Sequence, residues 1–127
     1  MKRIESRGIT RVELALIAGA VALVACVGGW FAHAEQDVTS RREAENAARN
    51  LANAAADWKR TNSELGCPSI SQLFHDRTLA AGARTDDPWG RRFRIDCSEQ
   101  DVTVRSPGSD GKDATDDDIR ISEVWAS

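Results

Sequence analysis

The chain has 127 residues, room for one small domain and not two. Charged residues make up 29%, the net charge is −3, and no basic run with interleaved aromatics occurs, which argues against a nucleic-acid-binding surface. Aromatics are 6% with no Tyr, so the soluble core is modest, and a core that small calls for a staple or a metal.

Residues 1–8, MKRIESRG, are basic and end in Gly8. Residues 9–34 are apolar, and from Leu14 to Ala32 no residue is charged. Nineteen helical residues at about 1.5 Å each span roughly the 30 Å of a bilayer core. Lys2, Arg3, Arg7 and Arg11 precede the span, and Glu35 and Asp37 follow it. The positive-inside rule then puts the N-terminus in the cytoplasm and everything after Ala34 outside. The competing reading is a secretory signal cleaved after Ala32-His33-Ala34. The length of the apolar run and the carboxylate of Glu13 at its head argue against it. Cys26, inside the span, reads as a small apolar residue.

From Glu35 to about Glu64 the pattern is helical. Ala44, Ala47, Ala48, Leu51, Ala54, Ala55 and Trp58 recur at steps of three and four, giving one narrow apolar stripe. No Pro lies between Val12 and Leu65, so span and stripe read as one long helix or two nearly coaxial ones, ended by Gly66 and Pro68. Ser69 to Phe74 reads as a short helical turn, with Leu73 and Phe74 packing back on the long helix. Asp86-Asp87-Pro88-Trp89-Gly90 is a turn signal. Phe93, Ile95 and Cys97 alternate with arginines and Asp96 as a half-buried strand. Val102 and Val104 mark a second strand, and Ile119 and Ile121, extended to Val124, a third. The predicted class is α+β: a long N-terminal helix packed on a small three-stranded antiparallel sheet.

Four segments carry functional chemistry. Glu13 is a carboxylate at the edge of a membrane helix, a costly position that is normally paired or functional. The turn Asp87 to Gly90 places Trp89 as a cap on the core. The loop from Ser106 to Asp118 holds five Asp within nine residues, which repel one another unless solvated or bound to a cation. Hard oxygen ligands on a Gly-containing loop suit calcium. A solvated acidic loop is the competing reading, and the spacing is not that of an EF-hand. Cys67 and Cys97 stand after the helix and at the end of the first strand, so a disulfide would close a loop of about 30 residues. It would contribute roughly 3 kcal/mol. The alternative is two buried free thiols, and an oxidising compartment favours the bridge. His33 and His75 are lone, no nucleophile or phosphate-binding motif occurs, and no enzyme is expected.

Gly8-Ile9-Thr10-Arg11-Val12-Glu13 resembles the prepilin signature of type IV pilins and type II secretion pseudopilins. Asp87-Pro88-Trp89-Gly90 looks like the matching turn of the major pseudopilin, and Ser106 to Ile119 resembles its calcium loop. The resemblance departs at Arg11, where the family has an apolar residue, at Ile9, where phenylalanine is common, and in the absence of a mid-helix proline. It implies a pilin-like fold with a prepilin leader over 1–8, a transmembrane polymerisation helix over 9–34, and a periplasmic domain over 35–127. It implies cleavage between Gly8 and Ile9 by a prepilin peptidase, methylation of the new terminus, and pairing of that amine with a neighbour's Glu13. It implies Ca2+ held by Asp110, Asp116 and Asp118, with the Pro107 carbonyl and Ser109, while Asp113 stays solvated; Asp117 stands where the family has a small residue, which leaves the choice among Asp116, Asp117 and Asp118 open. The implied partners are further copies of the chain, minor pseudopilins and an inner-membrane assembly platform. The implied role is a pseudopilus subunit driving protein export from the bacterial inner membrane. Minor pilins, competence pseudopilins and a monomeric membrane-anchored calcium-binding adaptor are the alternatives.

Overall fold

A computed structural model describes the backbone of residues 8–126 and, except at His33 and Ala34, their side chains. The first seven leader residues lie outside the described residues. The elements in chain order are α1 (Arg11–Thr61), α2 (Ile70–His75), β1 (Arg94–Cys97), β2 (Asp101–Ser106) and β3 (Ile119–Val124). The class is α+β. The chain divides into two compact units after Gln36.

In the first unit α1 starts with a reciprocal cap. The Glu13 backbone N–H donates to Thr10 Oγ1 at 3.3 Å, and the Thr10 N–H donates to Glu13 Oε2 at 3.0 Å. Both satisfy donors that the first helical turn leaves without partners. Beyond the cap, large apolar side chains are exposed on every face, from 52% at Val27 to 86% at Trp30. A helix apolar all round and covered by nothing is what a membrane span looks like. This helix is long and apolar enough to cross a bilayer.

In the second unit the predicted stripe becomes the core. Ala44, Ala48, Leu51, Ala52 and Ala55 are fully buried, and the cluster closes on Leu73, Leu79, Phe93, Val102, Val104 and Ile119. Alanine on the helix leaves room for the branched residues of the strands to pack densely. The sheet order is β1-β2-β3, antiparallel throughout. Ile95, Val104 and Ile121 stand in register on the core side.

Two expectations need correcting. The helix ends at Thr61, well before Gly66. Side chains close its last turn: Asn62 Nδ2 donates to the Trp58 carbonyl at 2.9 Å, and Lys59 Nζ donates to the carbonyls of Ser63 (2.9 Å) and Leu65. A polar cap formed locally makes a left-handed glycine unnecessary there. In α2 only Leu73 is buried; Phe74 is 37% exposed. A single helical turn presents one face, and the capping box of Ser69 and Gln72 orients that turn with Leu73 inward. The third strand does extend to Val124 as expected; Val124 is 60% exposed there, and Trp125 after it packs against the core. Val124 sits opposite Asp101, at the end of the pairing.

The rim of the second unit is stitched by polar contacts. Trp58 Nε1 donates to Asp76 Oδ2 at 2.6 Å, tying α1 to the end of α2. Arg60 Nη2 donates to the Val124 carbonyl at 2.7 Å, and Lys59 Nζ lies 4.9 Å from the centre of the Trp125 ring. Cys67 and Cys97 form a disulfide with Cα atoms 5.5 Å apart. Cys26 is a free, exposed thiol.

Candidate functional site

The acidic loop joins β2 to β3, and its base is built around Asp87. That residue is 5% exposed. Its Oδ1 accepts from the backbone N–H of Trp89 (3.1 Å) and of Arg91 (2.8 Å), closing the turn that Pro88 and Gly90 shape. Asp in front of such a turn bonds the backbone two residues on, a local habit of this side chain. Its Oδ2 accepts from Ser106 Oγ at 2.6 Å. Ser106 Oγ in turn accepts from the Gly108 N–H at 3.2 Å, and Arg91 Nη1 donates to the Gly108 carbonyl at 2.7 Å. Thus the proline turn grips the loop at Ser106 and Gly108.

Two glycines make that grip possible. Gly108 has φ +68°, and a Cβ there would lie 2.2 Å from the Asp117 carbonyl oxygen. Gly111 has φ +70°, and a Cβ there would meet the Arg91 guanidinium at 2.3 Å. Both positions need the left-handed region and bare space, which only glycine supplies.

Within the loop Asp117 is the hub. Its Oδ2 accepts from Ser109 Oγ (2.9 Å) and the Asp110 N–H (2.8 Å), and its Oδ1 accepts from Thr115 Oγ1 (2.5 Å). Three donors aimed at one carboxylate favour its charged form, and they hold the Asp117 pKa well below the usual carboxylate range, Thr115 contributing most. Asp110 Oδ1 accepts from the Lys112 N–H and Asp118 Oδ2 from the Ala114 N–H, both at 2.8 Å. Ala114 itself has φ +67°.

Of the residues implied as calcium ligands, Ser109, Asp110 and Asp118 therefore lie around the hub, and Pro107 is buried beside Gly108. Asp116 is exposed and makes no hydrogen bond or ion pair among the described residues. Of the three adjacent aspartates among which the choice was open, Asp117 holds the centre. Asp113 is exposed, as expected, and pairs with Arg94 at 3.3 Å.

The donor chemistry suits a hard divalent cation. Around Thr115 Oγ1 stand Asp117 Oδ1 at 2.5 Å, the Lys112 carbonyl at 3.1 Å, and Asp110 Oδ1 and Asp118 Oδ1 both at 3.3 Å. One hydroxyl proton serves one acceptor at a time. With that proton on Asp117, three oxygens remain gathered there, the Lys112 carbonyl and the carboxylate oxygens of Asp110 and Asp118, and of the two carboxylate oxygens only Asp110 Oδ1 has another donor, the Lys112 N–H. Calcium takes carboxylate and carbonyl oxygens in flexible geometry. Among the described residues no three His, Cys, Asp or Glu side chains form a finished metal cage; the carboxylates are turned partly to loop N–H groups.

A small cleft of about 190 Å³ opens beside the hub, lined by Asp37, Val38, Arg41, Trp89, Ser109 and Asp117. Trp89 shares it with Asp117, so the indole stands where it senses the loop. Sequence reasoning missed two residues that shape this region: Asp87 and Arg91 were read only as parts of a turn. Lys59, at the other end of the domain, was not singled out either, yet it is 7% exposed. Only for Asp87 did a signal exist, its place before Pro88.

The predicted processing and assembly positions lie in the first unit. Gly8 and Ile9 are exposed at the head of α1, and Glu13 occupies the cap described above. His75 is an exposed residue at the end of α2. Comparison with family models, with curated proteins and with solved structures returns no match to this chain.

Proposed function

We propose that the chain is a pilin-like subunit of the pseudopilin kind, anchored in the bacterial inner membrane by the first half of α1 and polymerising through it. The observation that carries this reading is the head of α1. Gly8 and Ile9 stand just before an apolar helix exposed on all faces, and Glu13 caps its first turn, the order of residues that resembles a prepilin peptidase substrate. After cleavage following Gly8, the Ile9 amine of one copy meets the Glu13 carboxylate of a neighbour. In low dielectric that pairing is strong and fixes the register of the stack. The domain after Gln36 would face the periplasm, where its disulfide is stable. Minor pseudopilins and an inner-membrane assembly platform would be its partners, and protein export the work done.

In this reading Ca2+ is held by Asp110, Asp117 and Asp118 with Ser109 and the loop carbonyls, Pro107 among the candidates. The cation supplies positive charge that lets the carboxylates stay close and makes the loop rigid. The protein's role is mechanical, with no catalytic residue.

The experiment is the N-terminal mass of the protein purified from its membrane, with and without an active prepilin peptidase. A chain starting at methylated Ile9 supports the polymerising subunit. An intact Met1 sinks it and favours a monomeric membrane-anchored calcium-binding adaptor; a start after Ala34 leaves a soluble domain.

A further inference from the structure

The solvent face of the sheet carries a row of like charges. Strand register sets Arg94 opposite Arg105, and Arg105 opposite Arg120. Like charges directly opposed on neighbouring strands destabilise a sheet. Two of the three are neutralised within the chain, Arg94 by Asp113 at 3.3 Å and Arg105 by Asp96 at 2.6 Å. The Arg120 side chain is exposed and makes no hydrogen bond or ion pair among the described residues. Asp116 of the loop is in the same condition. The two lie four residues apart in sequence and do not meet.

We infer that the arginine row is a docking surface for the acidic loop of a second copy of this chain, with Arg120 of one copy pairing with Asp116 of the next. This rests on the polymerising reading above and adds a contact in the domain after Gln36. Charge complementarity carries it. The loop over 106–118 has five Asp against one Lys and stays negative even with a divalent cation bound. Within one chain, Asp113 already reaches the end of the row at Arg94, so loop carboxylates and these guanidinium groups match chemically. Every copy carries both the row and the loop. A contact between two different patches repeats from copy to copy without closing, as a filament needs. Opposed charges would also steer incoming subunits and set their register more than they add affinity.

The test uses the full chain in membranes with saturating calcium, comparing wild type, Arg120→Glu, Asp116→Arg and the double charge swap. Assembly is read as the fraction sedimenting as polymer. A separate chemical crosslink between α1 helices, seen as a ladder, reads helix-driven polymerisation by itself. Each single change should lower the sedimenting fraction about tenfold, and the double swap should restore most of it. Raising salt from about 0.05 M to about 0.5 M should weaken wild-type assembly through screening. Ladders together with unchanged sedimentation of Arg120→Glu would overturn this contact and leave the polymerising subunit standing. Loss in Arg120→Glu that the swap does not restore would also overturn it, since the row would then serve another anion such as lipid headgroups. No ladder in wild type would overturn both.

Discussion

Ser106 Oγ donates to Asp87 Oδ2 at 2.6 Å in a buried setting, and with the bond from Arg91 to the Gly108 carbonyl it joins the proline turn to the root of the acidic loop. A buried carboxylate is tolerated only when its lone pairs are filled, and Ser106 fills one that no backbone group reaches. Ser106→Ala should therefore cost about 1.5–3 kcal/mol, the range for hydrogen bonds to charged groups. Asp87→Ala should cost more, because it also orphans the N–H groups of Trp89 and Arg91. Urea unfolding of the domain measures both; equal losses would mean the turn does not depend on Asp87.

Gly108→Ala forces a left-handed alanine against the Asp117 carbonyl. The position combines a strained φ with a backbone clash, so about 2 kcal/mol or more should be lost, with the loop displaced. The converse holds at Ala114, a non-glycine residue at φ +67° with open freedom to gain. Ala114→Gly should stabilise by a few tenths to about 1 kcal/mol. Thermal melts of the pair should move in opposite directions.

Calcium should raise the melting temperature of the domain and quench or shift Trp89 emission, since Trp89 and Asp117 line one cleft. Asp110→Asn with Asp118→Asn should lower calcium affinity at least tenfold, and Asp117→Asn at least as much. Titration calorimetry decides: unchanged affinity in these variants would remove the metal from the loop.

The same loop should weaken in acid. Asp117 has its folded pKa depressed by its donors, so its contribution to stability is complete above the ordinary carboxylate value near 4 and is lost as pH falls through the lower folded value. Stability from Asp117 should thus decline only below about pH 4, and Asp117→Asn should flatten that part of the profile. A decline centred near neutrality would contradict the assignment.

Reduction of Cys67–Cys97 releases a 30-residue constraint on the unfolded chain and should cost about 3 kcal/mol. Cys67→Ser compared with wild type under oxidising conditions gives the same number by denaturant midpoint.

Much of this was legible because it rests on periodicity. The alanine stripe, the three strands and the apolar head of α1 all announce themselves through spacing, and the disulfide through compartment and position. The side-chain register inside the loop was not legible. Three adjacent aspartates, Asp116 to Asp118, differ only in which way the backbone turns each one, and that turn depends on Gly108 lying against Asp117. Likewise the arginine row follows from strand register. Alternation placed Arg94 and Arg105 on the outer face, but only pairing shows that they stand side by side with Arg120. The early end of α1 escaped notice because its closing groups are side chains, Lys59 and Asn62, whose capping role has no fixed spacing.

Lys59 gives the domain a built-in chemical clock. Its amine is occupied by two carbonyls and roofed by Trp125, whereas Lys112 stands exposed on the acidic loop. An acylating reagent will mark exposed Lys112 readily and Lys59 only when its amine leaves the Ser63 and Leu65 carbonyls and the Trp125 ring. The ratio of the two labels, read by mass spectrometry on intact membranes, therefore times the opening of that corner without any probe being introduced.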